Sequence, residues 1–161
     1  MNFLIKIGIL SDTHGFIHTQ IIKLMTQCDF VIHAGDIVDA ETLLLLKPKQ
    51  QLIAIQGNND SHLTQLKTVE KIDLPGGLIV VEHGHLHGRK QPSHDSLRDA
   101  YPEAKMIIYG HTHKQIIEQD STPWIVNPGA AGVERNHGGS KCLIVEITDS
   151  QEWNISAHSF N

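Results

Sequence analysis

The sequence predicts an α/β fold: two packed sheets of mixed strands with helices on their outer faces. Two observations predict it. The first 57 residues alternate strand-like apolar runs with amphipathic stretches, the pattern of a parallel sheet built through crossover helices. The remainder is strand-rich and punctuated by turn signals, with strands numerous enough that two packed sheets accommodate them. With 161 residues the chain is long enough to bury roughly 70% of its unfolded surface. No repeat, low-complexity tract or linker divides it, so residues 1–161 read as one domain.

Taken in order, residues 4–10 are mostly apolar, as a central strand covered on both faces would be. Ile17, Ile21, Ile22 and Met25 recur at helical spacing and predict an amphipathic helix over about 17–26. Phe30-Val31-Ile32-His33-Ala34 is a second strand. Asp39 is placed to cap a helix running through Glu41 and four consecutive leucines, 43–46, with Pro48 stopping it. Leu52-Ile53-Ala54-Ile55 is a third strand.

Strands at 69–74 and 78–82 flank Pro75-Gly76-Gly77, a hairpin signal. Ser93 is placed to cap a short helix through Leu97 and Tyr101, ended by Pro102. Further strands follow at 105–109, 115–118, 124–127, 142–147 and 153–158. The alternation of Ile155, Ala157 and Ser159 marks the last as half-exposed.

Composition excludes some functions. A net charge of −5, with no basic cluster beyond Arg89-Lys90, argues against gripping extended nucleic acid. No apolar run approaches the roughly 20 residues of a spanning helix, and no secretory signal opens the chain. Cys28 and Cys142 make no disulfide framework and read as small buried thiols. A cytoplasmic location is the expectation. Twelve histidines are many for this length and invite a metal or proton-transfer role.

Five polar islands carry that role: Asp12-Thr13-His14, Gly35-Asp36-Ile37-Val38-Asp39, Gly57-Asn58-Asn59-Asp60, His83-Gly84-His85 and Gly110-His111-Thr112-His113. Each follows an apolar run, so each stands at the C-terminal end of a strand, where separate segments can converge. Asp12 and His14, two apart in an extended segment, project to one side, and His111 and His113 repeat that spacing. Asp36 offers a carboxylate able to bridge two ions, and Asn58 a neutral amide oxygen. His83 adds another imidazole. This oxygen and nitrogen set suits Mn, Fe, Zn, Co or Ni better than Ca or Mg, and without thiolates it does not read as structural zinc.

Taken singly, each residue has a blander reading. Asp12 serves as well in a turn. His33, inside a strand, reads as a satisfied core histidine, and His18, His62, His94, His137 and His158 as surface or loop residues. Asp39 and Asp60 read as helix caps, Asp60 alternatively as a residue orienting a ligand. The ordered set has no such reading.

That ordered set, D-x-H, G-D-x-x-D, G-N-x-D, H-G-H and G-H-x-H, resembles the calcineurin-like metallophosphoesterase superfamily. Its small single-domain phosphodiesterase branch from bacteria and archaea is the nearest match. The resemblance runs from Ile5 to about Gly132 and includes Asn127-Pro128-Gly129. It implies a four-layer α/β/β/α sandwich with metals at one edge of the sheets. It implies one metal ion on Asp12, His14, Asp36 and His113, and a second on Asp36 as the bridge, Asn58, His83 and His111. The cofactors expected are two divalent ions, manganese first, with Fe, Zn, Ni or Co as alternatives. Such ions about 3.5–4 Å apart can share a hydroxide and lower the water pKa toward roughly 7 for in-line attack on phosphorus.

The chain departs from the family pattern at Asn59, where many members carry the histidine thought to protonate the leaving oxygen or hold the phosphate. An amide can donate a hydrogen bond but supplies no proton, a contribution of about 10²–10⁴-fold. His85 is the candidate to substitute in part. The reading is thus a phosphodiesterase or phosphoesterase hydrolysing a small phosphorylated substrate, with Asp36, Asn59 and His85 closest to the chemistry. The alternative is a non-catalytic protein-binding scaffold on the same fold, as in the retromer subunit that resembles this family. A nuclease is a third, weaker reading, since neither capping segments nor basic surface are present. Arg135 and His137 read as surface-loop residues more than as substrate contacts. Homo-oligomers occur in this branch, and no segment here marks an interface.

Overall fold

The structure, a computed structural model, describes residues 3–161. Ten strands fall among them: β1 (Phe3–Leu10), β2 (Phe30–His33), β3 (Gln51–Ala54), β4 (Val69–Leu74), β5 (Gly77–Glu82), β6 (Met106–Ile108), β7 (Gln115–Glu118), β8 (Trp124–Pro128), β9 (Ser140–Thr148) and β10 (Trp153–Phe160). Helices α1 (Thr19–Thr26) and α2 (His94–Ala100) join them.

One five-stranded sheet has the order β10-β9-β1-β2-β3, the other β4-β5-β6-β8-β7. Both are mixed. β1, β2 and β3 run parallel, as do β5, β6 and β8, while the flanking strands pair antiparallel. All the strands read from the sequence are present, each within a few residues of its expected bounds.

Three apolar clusters follow from the two-residue period of the strands. Between the sheets, Ile7, Ile9, Ile32, Leu143, Val145 and Ile147 of one face meet Ile79, Val81, Met106, Ile108 and Val126 of the other. Their neighbours in sequence point outward. Leu10, Val31, Cys142 and Ile144 pack under Ile21 and Met25 of α1. Val80, Ile107 and Ile125 pack under Leu97 of α2. Three buried seams separate four layers, the expected α/β/β/α sandwich. Gly8 belongs to this arrangement, because a Cβ there would lie 2.3 Å from Met25 Sδ and push on α1.

The caps behave as their chemistry dictates. Ser93 Oγ accepts from Ser96 N at 3.2 Å to start α2, and Asp39 accepts from Glu41 N at 3.0 Å. The segment after Asp39 is a 3-10 helix, Ala40–Leu45, instead of a longer helix through Leu46. Four adjacent leucines cannot share one face of an α-helix, and Pro48 stops any extension. Leu46 is buried, whereas Leu44 is 72% exposed. Cys28 and Cys142 are free and buried beneath α1, and burial pushes their thiols up to about 11 and about 12. Among the described residues no helix is long and apolar enough to cross a membrane.

Candidate metal centre

The parallel strands aim their C-terminal ends at one edge of the sandwich, and the five polar islands are the loops that leave them. Asp12 and His14 follow β1, Asp36 follows β2, Asn58 follows β3, His83 follows β5, and His111 and His113 follow β6. Parallel strands collect their outgoing loops on one side, which is why open α/β sheets bind ligands there.

Backbone hydrogen bonds lock the loops together. Asp12 N donates to Gly35 O at 2.9 Å, His14 N to Asp36 O at 3.0 Å, and Gly110 N to His83 O at 3.0 Å. Asp60 is buried and accepts from Gly57 N at 2.8 Å, Ile37 N at 3.0 Å and Val38 N at 2.8 Å. It caps no helix: one carboxylate staples the Asp36 loop to the loop after β3. Gly57 allows the same approach, since a Cβ there would lie 2.2 Å from Asp36 Oδ1. Asp12, His14, Asp36, His111 and His113 all adopt positive φ, between 47° and 72°. Left-handed backbone is costly for such residues, and it persists here at five of the seven ligand positions implied by the family resemblance.

The side chains converge accordingly. Asp36 Oδ2 lies 3.5 Å from His14 Nε2 and 3.4 Å from His83 Nε2. Asp12 Oδ1 lies 3.4 Å from His113 Nε2 and 3.8 Å from His83 Nε2. These gaps are long for hydrogen bonds. Two donors each about 2.0–2.2 Å from one ion stand roughly 3.0–3.5 Å apart, so most of the gaps suit a shared cation. Donor atoms of Asp12, His14 and His113 form one such group, and those of Asp12, Asp36 and His83 another.

Asp12 Oδ1, His14 Nε2, His83 Nε2 and His85 Nδ1 are buried without a hydrogen-bond partner among the described residues. Buried polar atoms without partners are rare and call for an explanation; a bound cation is one. The outer ring nitrogens are satisfied, His83 Nδ1 by Ala34 O at 2.8 Å and His113 Nδ1 by Glu134 O at 2.7 Å. Each such bond fixes a ring so that its Nε2 faces the centre, the usual way of orienting a metal-ligating histidine. The donor set therefore fits divalent ions.

Charge supports the fit. Burial, reinforced by Asp36, pushes Asp12 up to about 7 despite His83 nearby. Asp36 is desolvated too, yet His83, the Asn59 N–H and His14 hold it well below the usual carboxylate range. His83 is raised despite burial, because Asp36 and Asp12 face it. The pocket demands positive charge, and a proton supplies it where no cation does.

The remaining candidates are placed as follows. His111 engages Arg89 O through Nε2, which leaves Nδ1 to offer an ion, and its ring centroid lies 5.2 Å from that of His83. Asn58 is exposed and lines a cavity of about 540 Å³ with His85, Leu86, Arg89 and His111. Asn59 donates to Asp36 twice, through its backbone N and through Nδ2, each at 3.0 Å. His85 sits 5.6 Å from His83 and 6.2 Å from His111, centroid to centroid. Burial and those two imidazoles lower its pKa.

His33 is fully buried, its Nδ1 accepting from Gly35 N at 3.1 Å and its Nε2 3.0 Å from Thr13 Oγ1. Burial drives its pKa down to about 4, so it is the satisfied core histidine the sequence suggested. His94 differs from its expectation as a plain surface residue: it bridges Glu118 at 3.0 Å and the Tyr109 hydroxyl at 2.9 Å. Asn127 carries a role the sequence did not reveal. Its Nδ2 donates to Gly110 O at 2.9 Å and Thr112 Oγ1 at 3.0 Å, shaping the Gly110–His113 loop. The Asn-Pro-Gly motif marked the residue but not its partners.

Comparison with known proteins gives a consistent result. Residues 5–150 match the calcineurin-like phosphoesterase superfamily domain. A probable metallophosphoesterase of Methanocaldococcus jannaschii is 30% identical over 139 residues, covering 80% of this chain and 69% of that protein. A phosphodiesterase of the same archaeon is 30% identical over 148 residues, covering 77% and 82%. Vacuolar protein sorting 29 of Cryptosporidium parvum superposes with a TM-score of 0.78 at 15% identity, covering 99% of this chain and 100% of the other. At that identity the likeness is one of fold.

Proposed function

The chain belongs to the calcineurin-like phosphoesterase superfamily, and on that premise we propose that it is a dinuclear-metal phosphodiesterase acting on a small phosphate ester. The observation that carries the proposal is the set of buried, unpartnered donor atoms of Asp12, His14 and His83, gathered with Asp36 and His113 so that most of the gaps suit a shared cation. Asp12, His14, Asp36 and His113 hold one ion in this reading, and Asp36, Asn58, His83 and His111 the other. Two bound divalent cations would supply Lewis acidity to the phosphoryl oxygens and ionise a shared water near neutral pH.

The chain's own residues do the rest. Asp36 faces both His14 and His83 with one oxygen, the placement a bridging ligand needs. Asn59 is a positioning residue that holds both Asp36 oxygens, so its amide is occupied. His85 borders the cavity and, being neutral, can donate one N–H to a phosphoryl or leaving oxygen without serving as a stored proton source. Without a ready proton donor, the chemistry favours esters whose leaving group departs unprotonated. Activated diesters should therefore be better substrates than alkyl monoesters.

The alternative, a protein-binding scaffold on the same fold, draws on exposed apolar residues such as Leu44 and Leu86. A docking role by itself does not require buried imidazole nitrogens without partners. The test measures metal content and turnover of bis(p-nitrophenyl) phosphate with manganese, for the wild type and Asp36→Asn. The expected result is turnover that the variant loses at least 100-fold together with its metal. A correctly folded wild type that takes up no metal and turns nothing over overturns the proposal.

A further inference from the structure

A second cavity, of about 340 Å³, shares Arg89 and His111 with the one at the metal centre. Arg89, Lys90, Lys114 and Arg135 line it, together with Gln91, His111, Thr112 and His137, and no carboxylate is among them. The protein has 18 acidic and 13 basic residues, so four cations around one hollow run against its overall charge. An anion is what such a hollow recognises.

The position of these groups is built into the loops. His111 bonds to Arg89 O, which ties the 88–91 turn to the metal loop. His87 N donates to Gly84 O at 2.9 Å, Ser93 N to His87 O at 2.9 Å, and His87 Nε2 stands 3.2 Å from Glu82, so the turn is braced on both sides. From the opposite loop the Arg135 guanidinium stands 3.3 Å from His113 Nε2. An ion held by that nitrogen would take the place of this contact and leave the guanidinium to an anion. The guanidinium of Arg135, like that of Arg89, matches a phosphate with two parallel donors. At the lower end of the small-molecule range of about 300–1,000 Å³, the hollow suits one phosphate group with part of its carrier.

We propose that this basic hollow is a second-anion subsite: the substrate is a phosphodiester of which one esterified group carries a further phosphate. The centre holds the scissile phosphate, and Arg89, Lys90, Lys114 and Arg135 hold the other across His111. This rests on the phosphodiesterase reading and adds the class of substrate to it.

Two pairs of probes test it. Thymidine 5′-(p-nitrophenyl phosphate), with and without a 3′-phosphate, shares one leaving group, so kcat/KM differs only through the second anion. The expected ratio is at least 10 in favour of the 3′-phosphorylated ester. It should fall toward one in a Lys90→Ala, Lys114→Ala double variant and shrink in the wild type as salt rises. A wild-type ratio near one, with both esters turned over, overturns the subsite and leaves the phosphodiesterase reading intact.

Calorimetric titration with thymidine 3′,5′-bisphosphate against thymidine 5′-monophosphate needs no turnover. The bisphosphate should bind the wild type at least 10-fold more tightly, and the double variant should lose that margin. Equal affinities overturn the subsite whatever the activity. Absence of turnover with the bisphosphate margin intact counts against the phosphodiesterase reading alone.

Discussion

His33 shows how much one buried side chain can report. Unfolded, an imidazole takes up a proton near pH 6.5; in the fold His33 does so only near 4. Between these values the unfolded chain binds the extra proton, so His33 makes the protein less stable as pH falls across the window. The full effect is on the order of 3 kcal/mol. Replacing it by glutamine, which can still accept from Gly35 and donate to Thr13, removes the titration. The stability of wild type minus His33→Gln, from urea unfolding at pH 7, 5.5 and 4.5, should therefore decline with falling pH. A difference that stays level would contradict the buried, neutral assignment. That His33 belongs to the core was legible in the sequence, because a histidine amid a strand's apolar residues has little else to do. The three backbone donors of Asp60 were not legible, since two of them stand 22 and 23 residues away and no local pattern announces them. The same holds for His94 on α2, whose partners Tyr109 and Glu118 lie just after β6 and at the end of β7.

At the scale of elements, the sequence spoke most clearly through strand period and capping residues. The three seams of the sandwich follow directly from which side of each strand is apolar. It spoke less clearly about Ala40–Leu45, where composition favoured helix but four adjacent leucines before Pro48 form only a 3-10 turn. The islands themselves were legible because each chemical group sits immediately after a strand. Their relative placement depends on loop-to-loop contact, and Gly57 is one place where that contact is close. A methyl group there would meet Asp36 Oδ1 at 2.2 Å and Asp36 N at 2.3 Å, and the second of these is backbone that cannot simply rotate away. Gly57→Ala should therefore move Asp36 without unravelling either sheet. The expected outcome is a drop of at least 10-fold in manganese affinity by calorimetry, with an unchanged far-ultraviolet circular dichroism spectrum. Retention of wild-type affinity would show that the Asp36 loop tolerates a shift the proposed centre does not allow.

Over the whole molecule, the metal centre and the fold are one thermodynamic system. A ligand at 100 times its Kd adds about 2.7 kcal/mol, or roughly 5–10 °C in Tm for a chain of this size. Protons compete for that gain. Asp12 has its pKa raised to about 7 without metal, against 3.8 when unfolded. For a raised carboxylate, the stabilising contribution is full below the unfolded value and is lost as pH climbs through the folded one. The metal-free protein therefore carries its least compensated buried charge above pH 7, when Asp12 and Asp36 are both ionised. There a divalent ion has no proton to displace from Asp12 and relieves the most repulsion. Thermal melting with and without manganese, at constant ionic strength, should show a rise in Tm that grows from pH 5.5 to pH 8. Chelation with EDTA should abolish it at every pH. A metal-induced rise that does not change with pH would mean that the ion binds away from Asp12. The sharing of that carboxylate between the two donor groups would then have no part in holding it.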